Sequence, residues 1–501
     1  MTRFETSVFL ADDAATGRLG EDLAMALKPG DTVALSGDLG AGKTSLARAL
    51  IRAVADDAAL EVPSPTFTLV QTYDLRLPLA HFDLYRLSSA DELEELGFDE
   101  AVATGAALVE WPERAGGLLP ADAIHVALDH EGDGRRAQVR AGGPAGDRIA
   151  RSLAIRAFLS DHGWGDAARR FLTGDASARA YETATLGGET RVLMNAPRMP
   201  DGPPILDGLP YSRIAHLAED VTPFVAVAEA LRRNGFAAPR IHAADLDQGL
   251  LLTEYLGAPV FLDPEGRPVR ERYEAAARLL AALHAVPWPH DLPVSGAIMH
   301  HVPDYDRRAM HIELDLLPSW YWGHAMGTPP DEASRTAFIA GWDRVLDRLS
   351  GTETSLVMRD YHSPNIIWRD DRTGLDRLGL IDFQDAMIGP AAYDVASLAQ
   401  DARVTIDPDL EQAVIEAYCT ARSDAGPFDR DAFETAYAVM AAQRNSKILG
   451  IFVRLDRRDG KPAYLKHLPR IRSYLSRVLG HAALAPVRGF YADLGIRADG
   501  A

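Results

Sequence analysis

The stretch GDLGAGKT, residues 37–44, decides the fold of the first part of the chain. It satisfies the pattern G-x-x-x-x-G-K-[ST], in which glycines let backbone amides curl around phosphate oxygens. An apolar run, TVALSG at 32–37, precedes it, and a helical pattern at 43–54 follows. Apolar strand, glycine-rich loop and helix in this order predict an α/β P-loop NTPase domain.

Each residue type in this loop suits the binding of a nucleoside triphosphate. Lysine offers a mobile cation to the outer phosphates, and the hydroxyl of Thr44 is suited to ligate Mg²⁺. The N-terminus of the following helix adds the positive end of its dipole. We therefore expect ATP and Mg²⁺ as cofactors. The predicted nucleotide contacts are Gly37, Asp38, Gly40, Ala41, Gly42, Lys43 and Thr44.

Two carboxylates follow later apolar runs, which are predicted strands of a parallel sheet covered by helices. Asp83, in HFDLYRL, is a candidate for the magnesium site. Glu110, in VEWPE, is a candidate for positioning the attacking water or for joining the metal shell. Thr66, in PSPTFTLV, is placed to sense the third phosphate, although a threonine in such a loop is commonly a turn residue.

These segments together resemble a known family. GDLGAGKTSLARAL, SPTFTLVQTY, HFDLYRL and EWPER, in this order, are similar to TsaE, the small ATPases of bacterial tRNA threonylcarbamoyladenosine synthesis. The resemblance covers about residues 5–140. It implies ATP hydrolysis in support of the other protein subunits of that synthesis complex. It also implies metal or catalytic roles for Thr44, Asp83 and Glu110, with Trp111 beside the nucleotide.

The second part of the chain carries a different set of polar residues. Asp360 stands five residues before Asn365, and LIDF follows at 380–383. This is the spacing of a kinase catalytic loop, in which Asp360 would accept the proton of an acceptor hydroxyl. Asn365 and Asp382 would then hold Mg²⁺ across the phosphates. Asp394 is expected to cap or anchor a helix.

The predicted phosphate-covering segment, GDASARAY at 174–181, holds a single glycine. Ser177, backbone amides and Arg179 are therefore predicted to contact the phosphates. The next apolar run has Met194 where an orthodox protein kinase carries its phosphate-binding lysine. From the residues alone, a non-catalytic, nucleotide-dependent scaffold stays open beside an active kinase.

A second resemblance concerns about residues 150–480. DASARAY, VLMNAP, GLLLTEYLG, RDYHSPNII and LIDFQDAMIGPAAYD are similar to the aminoglycoside-phosphotransferase-like superfamily, and within it to the AmgK family of N-acetylmuramate and N-acetylglucosamine anomeric kinases. This implies a bilobal α+β kinase-like domain that phosphorylates an amino sugar in cell-wall recycling. The chain departs from the usual residues of that family at Met358 and Asn195.

The substrate is less well defined by the residues themselves. Glu313, Trp320 and Tyr321 are candidates for a sugar pocket, although an aromatic cluster at such spacing is more often part of a core. An aminoglycoside or another small alcohol is the alternative substrate.

Residues 131–147, rich in glycine, charge and turn formers, predict a linker. We expect a P-loop ATPase domain at 1–140, a linker at 141–148 and a kinase-like phosphotransferase domain at 149–501. An irregular linker imposes no fixed geometry, so the two active sites are expected to work independently.

Composition restricts the cellular setting. The net charge is -20; residues 1–150 hold 13 basic against 25 acidic residues and the remainder 39 against 47. Neither part has the basic excess of a protein that binds nucleic acid non-specifically, so we expect protein partners rather than direct RNA contact.

A single cysteine, Cys419, excludes an internal disulfide. No apolar run approaches the ~20 residues of a membrane span, and the first residues do not match a signal peptide. We therefore expect a cytoplasmic location.

Overall fold

The structure is a computed structural model that describes residues 3–172, 179–258 and 260–499. The chain divides into two compact units. The first is Met1–Asn195 with Leu250–Leu252, and the second is Ala196–Gly249 with Thr253–Ala501. Among the described residues, no helix is both long and apolar enough to cross a membrane.

Seven strands of the first unit form one mixed sheet. They are β1 (Arg3–Leu10), β2 (Thr32–Ser36), β3 (Val70–Tyr73), β4 (Leu79–Asp83), β5 (Ala106–Glu110), β6 (Ile124–Glu131) and β7 (Gly134–Gly142). Their order in the sheet is β1-β7-β6-β2-β5-β4-β3. The four inner strands β6, β2, β5 and β4 run parallel. The remaining pairings are antiparallel.

Five helices complete this part of the unit: α1 (Asp13–Ala26), α2 (Lys43–Ala55), α3 (Glu92–Glu95), α4 (Phe98–Thr104) and α5 (Gly143–Asp161). Asp12 caps α1 by accepting a hydrogen bond from the amide of Ala15. Leu46 and Leu50 of α2 are fully buried in the core. The predicted strand at 32–37, the predicted helix at 43–54 and the α/β class are confirmed.

Residues 141–148, the predicted linker, have regular secondary structure. β7 ends at Gly142 and α5 begins at Gly143, so these residues are a strand end and the first turns of a helix. The glycines that suggested irregularity serve the turn itself, because Gly143 has a φ of 54°. The predicted functional limits, 1–140 and 149–501, stay a prediction, but the compact units divide after Asn195.

The first unit also contains the antiparallel strands β8 (Ala168–Leu172), β9 (Ala180–Leu186) and β10 (Glu189–Asn195). Residues Leu250–Leu252 of β14 (Leu250–Glu254) lie beside β10. The apolar run that holds Met194 is part of β10. The opening strands of the second predicted domain therefore belong to the same compact unit as the P-loop.

The second unit is largely helical. Its helices are α6 (Tyr211–Ile214), α7 (Thr222–Arg233), α8 (Arg270–His284), α9 (Arg307–Leu314), α10 (Trp322–Met326), α11 (Glu332–Leu346), α12 (Ala392–Ala399), α13 (Pro408–Ala425), α14 (Arg430–Arg457), α15 (Leu468–Leu479) and α16 (Ala485–Asp493). The longest of them, α14, is buried along most of its length and packs against α12 and α15.

The strands of the second unit are short. They are β11 (Pro204–Leu206), β12 (Leu209–Pro210), β13 (Ile241–Asp245), β15 (Asp291–Ser295), β16 (Ile298–His301), β17 (Thr354–Val357), β18 (Ile366–Trp368), β19 (Leu378–Leu380) and β20 (Met387–Pro390). β18 and β19 form an antiparallel hairpin in which Ile366 pairs with Leu380. Asn365, before β18, and Asp382, after β19, therefore lie at the same end of the hairpin.

Candidate active sites

The P-loop and two carboxylates meet at the carboxyl edge of the seven-stranded sheet. The loop at 37–44 follows β2 and leads into α2. β5 lies between β2 and β4, and its last residue, Glu110, pairs in register with Leu35 of β2 and Asp83 of β4. Parallel strands end at the same edge, and ligands of open α/β sheets bind there. This is the arrangement that the sequence predicts.

The backbone of the loop requires glycine. Gly37 has a φ of 134°, and a Cβ there would lie 2.3 Å from the carbonyl oxygen of Leu128. Gly42, directly before α2, has a φ of 102°. The ammonium of Lys43 donates hydrogen bonds to the carbonyl oxygens of Gly37 (2.8 Å) and Asp38 (2.9 Å). Lys43 is thereby folded back onto its own loop.

Trp111 lies against Lys43, as the resemblance implies for a residue beside the nucleotide. The Nζ atom of Lys43 is 3.6 Å from the centroid of the indole ring, a cation–π contact. Trp111 has a φ of 59°, a strained conformation for a tryptophan that is typical of functional sites. Burial lowers the pKa of Lys43, although the nearby carboxylates, Glu110 foremost, oppose the shift.

Glu110 connects the loop to the sheet. The hydroxyl of Thr44 donates to Oε2 of Glu110 at 2.9 Å. The other oxygen, Oε1, is 2.9 Å from Nε2 of His81, and because a carboxylate only accepts, the ring nitrogen donates. His81 and Glu110 are both buried. The carboxylate is therefore fixed on both sides.

The carboxylate of Asp83 accepts hydrogen bonds from two hydroxyl groups of the loop PSPTFTLV. Its Oδ2 accepts hydrogen bonds from Thr66 (2.7 Å) and Ser64 (3.1 Å), and its Oδ1 accepts one from the amide of Tyr85 (3.1 Å). Thr66 is therefore brought to the predicted metal-site residue Asp83.

The sequence interpretation missed His81 and Ser64. His81 stands two residues before Asp83 on one strand, so both side chains point to the same face, which is a readable signal. Ser64 stands two residues before Thr66 in the loop. Of the remaining predicted contacts, Gly40 has a φ of 81°, and the amide of Ala41 donates to the carbonyl of Asp38 at 3.1 Å.

The second site lies in the second unit, at the end of the β18–β19 hairpin. The side-chain Nδ2 of Asn365 donates hydrogen bonds to the backbone carbonyl of Asp360 (2.9 Å) and to Oδ2 of Asp382 (3.2 Å). The amide of Ile381 donates to the carbonyl of Asn365 at 3.1 Å. The three predicted residues are thus brought together by one side chain. Gln384, which sequence reasoning missed, donates to Oδ1 of Asp382 at 2.8 Å.

Magnesium suits both sets of residues. Thr44, Asp83 and Glu110 offer hydroxyl and carboxylate oxygens, and Asn365 and Asp382 offer amide and carboxylate oxygens, the donors that Mg²⁺ prefers. In the described part of the chain, no group of three or more His, Cys, Asp or Glu residues could hold a metal ion. Small sets of oxygen donors of this kind suit an ion that nucleotide phosphates also bind.

Asp394 anchors the backbone that precedes Asp360. Its two carboxylate oxygens accept hydrogen bonds from the amides of Met358 (2.6 Å) and Arg359 (3.0 Å). Burial raises the pKa of Asp394 to about 7, although these two amides oppose the shift. The sequence interpretation placed an anchor here but attached it to a helix. Asp394 instead lies inside α12 and holds the backbone directly before Asp360.

Arg359, whose φ is 67°, points away from solvent into a buried ion cluster. Its guanidinium donates to Glu313, which also accepts from Lys447 (3.1 Å) and Tyr305 (2.5 Å). Burial alone would raise the pKa of Glu313, but Lys447 and Arg359 outweigh it and lower the pKa to about 2. Removing one partner of this cluster would leave a buried charge uncompensated, so the cluster restricts the position of Arg359 beside Asp360.

The suggestion that Glu313 and Tyr321 line a sugar pocket is therefore wrong. Glu313 has no exposed surface, and Tyr321 is 1 % exposed, with its hydroxyl bonded to Arg472. Trp320 is half-buried. The alternative reading of this segment as core is the correct one for these two residues.

Only one of the two predicted phosphate contacts of the second site lies within the described residues. Ser177 falls outside the described residues, and Arg179 directly precedes β9. Asn195, at the end of β10, accepts two hydrogen bonds on Oδ1 from the guanidinium of Arg151 in α5 (2.7 and 2.9 Å). This residue, at which the chain departs from the AmgK family, is thus tied to the helix that follows the ATPase sheet.

Comparison with known proteins assigns a family to each of the two parts of the chain. The family model of the threonylcarbamoyl adenosine biosynthesis protein TsaE matches residues 10–138, and that of the phosphotransferase enzyme family matches residues 168–433. A TsaE protein of Rickettsia felis is 42% identical over 123 residues, 24% of this chain and 71% of the relative. The chain belongs to both families. It is a fusion, within one polypeptide, of a TsaE ATPase and a phosphotransferase.

Relatives of the phosphotransferase part carry a more specific name. An N-acetylmuramate/N-acetylglucosamine kinase of Caulobacter vibrioides is 36% identical over 352 residues, 68% of this chain and 96% of the relative. A kinase of the same name from Pseudomonas aeruginosa is 34% identical over 324 residues, 62% of this chain and 85% of the relative. The predicted fold class and the prediction of an ATPase joined to an ATP-dependent phosphotransferase are confirmed.

Proposed function

We propose that the phosphotransferase part transfers the γ-phosphate of ATP to the anomeric hydroxyl of N-acetylmuramate or N-acetylglucosamine. The observation that carries the proposal is the bonding of Asn365 to both Asp360 and Asp382. The names of the Caulobacter and Pseudomonas relatives support the choice of an amino sugar over an aminoglycoside or another small alcohol.

The residues have separate tasks in this reaction. Asp360 accepts the proton of the sugar hydroxyl as its oxygen bonds to the γ-phosphorus and the bond to the β-phosphate oxygen breaks. Asn365 and Asp382 would hold Mg²⁺, which neutralises charge on the phosphates. Asp394 and Glu313 keep the backbone and Arg359 in place beside Asp360.

The experiment incubates the full chain with ATP, Mg²⁺ and, separately, N-acetylmuramate, N-acetylglucosamine and an aminoglycoside. An acid-labile sugar 1-phosphate that disappears in Asp360→Asn is the expected result. A phosphorylated aminoglycoside with no amino-sugar product would replace the proposed substrate. If the protein binds ATP but phosphorylates none of these acceptors, the result would favour a non-catalytic scaffold.

For the first part, we propose ATP hydrolysis that supports tRNA threonylcarbamoyladenosine synthesis together with the other protein subunits of that complex. The hydrogen-bonded series Thr44–Glu110–His81 carries this proposal, because it fixes a carboxylate beside the P-loop. The net negative charge supports protein rather than RNA partners. A cytoplasmic location is proposed as well, since a chain with one cysteine, Cys419, lacks the internal disulfides that are common in secreted proteins.

This proposal is tested in cells whose only copy of the protein is a variant. The modified nucleoside is measured in their bulk tRNA. Lys43→Ala is expected to deplete threonylcarbamoyladenosine, whereas Asp360→Asn leaves it unchanged. Equal levels in the Lys43→Ala and wild-type cells would refute the role in tRNA modification. We further propose 1–140 and 149–501 as the functional limits of the two activities.

A further inference from the structure

Two adjacent arginines open the sheet of the phosphotransferase part. Arg169 and Arg170 lie in β8, and both reach α1 of the ATPase part within the first compact unit. Arg170 donates to Oε1 of Glu21 at 3.0 Å, and its Nε lies 2.7 Å from Oδ1 of Asp56, the residue that follows α2. β8 is thereby held by α1 and by the end of α2.

Arg169 connects α1 to β9, the strand next to β8. It is fully buried and donates to Oδ1 of Asp22 in α1 at 2.6 Å. On the other side, it makes two hydrogen bonds to Glu182 of β9, at 2.7 and 2.9 Å. Burial alone would lower the pKa of Arg169, but the carboxylates of Glu182 and Asp22 outweigh it and raise the pKa. The guanidinium is therefore a fixed charge.

Helix α5 takes part in the same network, since Arg169 also donates to Ser152 and Arg156 also donates to Glu21. Glu21 also accepts a hydrogen bond from the backbone amide of Arg169 at 3.2 Å. Asp22 also accepts from Arg156 of α5, at 3.0 and 3.1 Å. Buried pairs of this type restrict geometry strongly, since removing one partner leaves the other charge uncompensated. β9 begins one residue after Arg179, a predicted phosphate contact.

We propose that Glu21 and Asp22 of the ATPase part are positioning residues for the phosphotransferase: they hold Arg170 and Arg169, and through them the start of β9, in the arrangement that binds ATP. The inference rests on the phosphotransferase function proposed above. It replaces the expectation of independent sites, whose premise was an irregular linker. In the fused chain, the ATPase body is then a structural part of the kinase.

The test measures nucleotide affinity without a sugar, so the identity of the acceptor does not enter. In a Lys43→Ala background, which removes P-loop binding, the full chain is titrated with a non-hydrolysable ATP analogue and Mg²⁺. Glu21→Gln is expected to weaken binding about fivefold or more, because displaced contact groups lose affinity steeply. Glu21→Asp, which keeps the charge, is expected to restore at least half of that loss in log Kd.

Asp166→Asn is the matched control. Asp166 pairs with Arg18 of α1 at 3.3 Å, is largely exposed and lies just before β8, but it does not hold Arg169 or Arg170. The affinity of the Asp166→Asn variant for the ATP analogue is expected to equal that of the Lys43→Ala background. Asp22→Asn is the more severe variant, and if it does not fold, Glu21→Gln still decides the matter, because its partner Arg170 is partly exposed.

Kinetics separate positioning from general damage. With saturating amino sugar, the Glu21→Gln single variant is expected to raise KM for ATP while leaving kcat within about threefold. Unchanged affinity in Glu21→Gln, or equal loss in Asp166→Asn, would overturn the inference. If the Lys43→Ala background binds no analogue at all, the phosphotransferase function itself falls, and the inference falls with it.

Discussion

The hydroxyl of Thr44 and the carboxylate of Glu110, sixty-six residues apart in sequence, are hydrogen-bonded at 2.9 Å. The bond joins the first turn of α2 to the last residue of β5, and His81 fixes the other oxygen of the same carboxylate. A carboxylate held on both sides beside the P-loop is suited to position an attacking water. Its replacement therefore tests the chemistry of the ATPase part directly.

Glu110→Gln keeps the shape of the side chain and removes its charge. We expect partner-stimulated ATP hydrolysis to fall about 100-fold or more, since a positioned general base contributes that much. ATP affinity should remain within about threefold, because Gln still bonds Thr44. Hydrolysis is measured in an Asp360→Asn background, so that the phosphotransferase adds no ADP. Equal hydrolysis by Glu110→Gln and its parent would remove Glu110 from the mechanism.

Gly37→Ala tests the geometry of the loop. A Cβ at this position would lie 2.3 Å from the carbonyl oxygen of Leu128, and the φ of 134° is unfavourable for alanine. We expect lost ATP binding at the P-loop and a lower melting temperature of the first unit. Gly17→Ala is the control, since its Cβ would meet nothing within 4 Å in the middle of α1. That variant should gain about 0.5–1 kcal/mol of unfolding free energy.

The pKa of Asp394, raised by burial to about 7, makes a prediction about stability. A carboxyl whose pKa is higher in the folded than in the unfolded chain binds an extra proton when folded. Its contribution to stability therefore falls as pH rises from the usual value of 3.8 to about 7. Asp394→Asn cannot titrate and should lack this decline.

The measurement is the difference in melting temperature between wild type and Asp394→Asn at several pH values. Titration of the other groups largely cancels in this difference. The wild type should lose stability relative to the variant between pH 5 and pH 8, values chosen to bracket the shifted pKa. Parallel curves over this interval would mean that Asp394 is ionised in the folded protein throughout.

Much of the architecture was readable from local patterns. The P-loop lies between a buried strand and an amphipathic helix, and each of these is encoded within about a dozen residues. The sequence spacing of Asp360, Asn365 and Asp382 also predicts their proximity. The short hairpin β18–β19 lies between Asn365 and Asp382 and returns the chain to the same end. Patterns of this kind depend on neighbours in sequence, so a single chain suffices to predict them.

Other features depend on distant partners and were not readable. Glu313 was predicted to line a sugar pocket. In the structure it is buried and forms an ion pair with Lys447, which is distant in sequence. Residues 141–148 suggested a flexible linker, but strand pairing with β1 and packing of α5 against α1 order them. The ties from Arg169 to Asp22 and Glu182 have no local signature either, since arginines and carboxylates are common in exposed positions.

The pairing of Asn365 with Asp382 makes a prediction about metal dependence. Asp382→Asn replaces a carboxylate with an amide, a weaker ligand for Mg²⁺, so the Mg²⁺ concentration for half-maximal sugar phosphorylation should rise about tenfold or more and kcat should fall. Asp370→Asn is the matched control: it is the same change at the other end of the hairpin, where Asp370 accepts a hydrogen bond from Trp368 at 2.8 Å. Its Mg²⁺ titration should coincide with that of the wild type. If the two variants titrate alike, the metal is held elsewhere, and Asp382 serves only to fix Asn365 and Gln384.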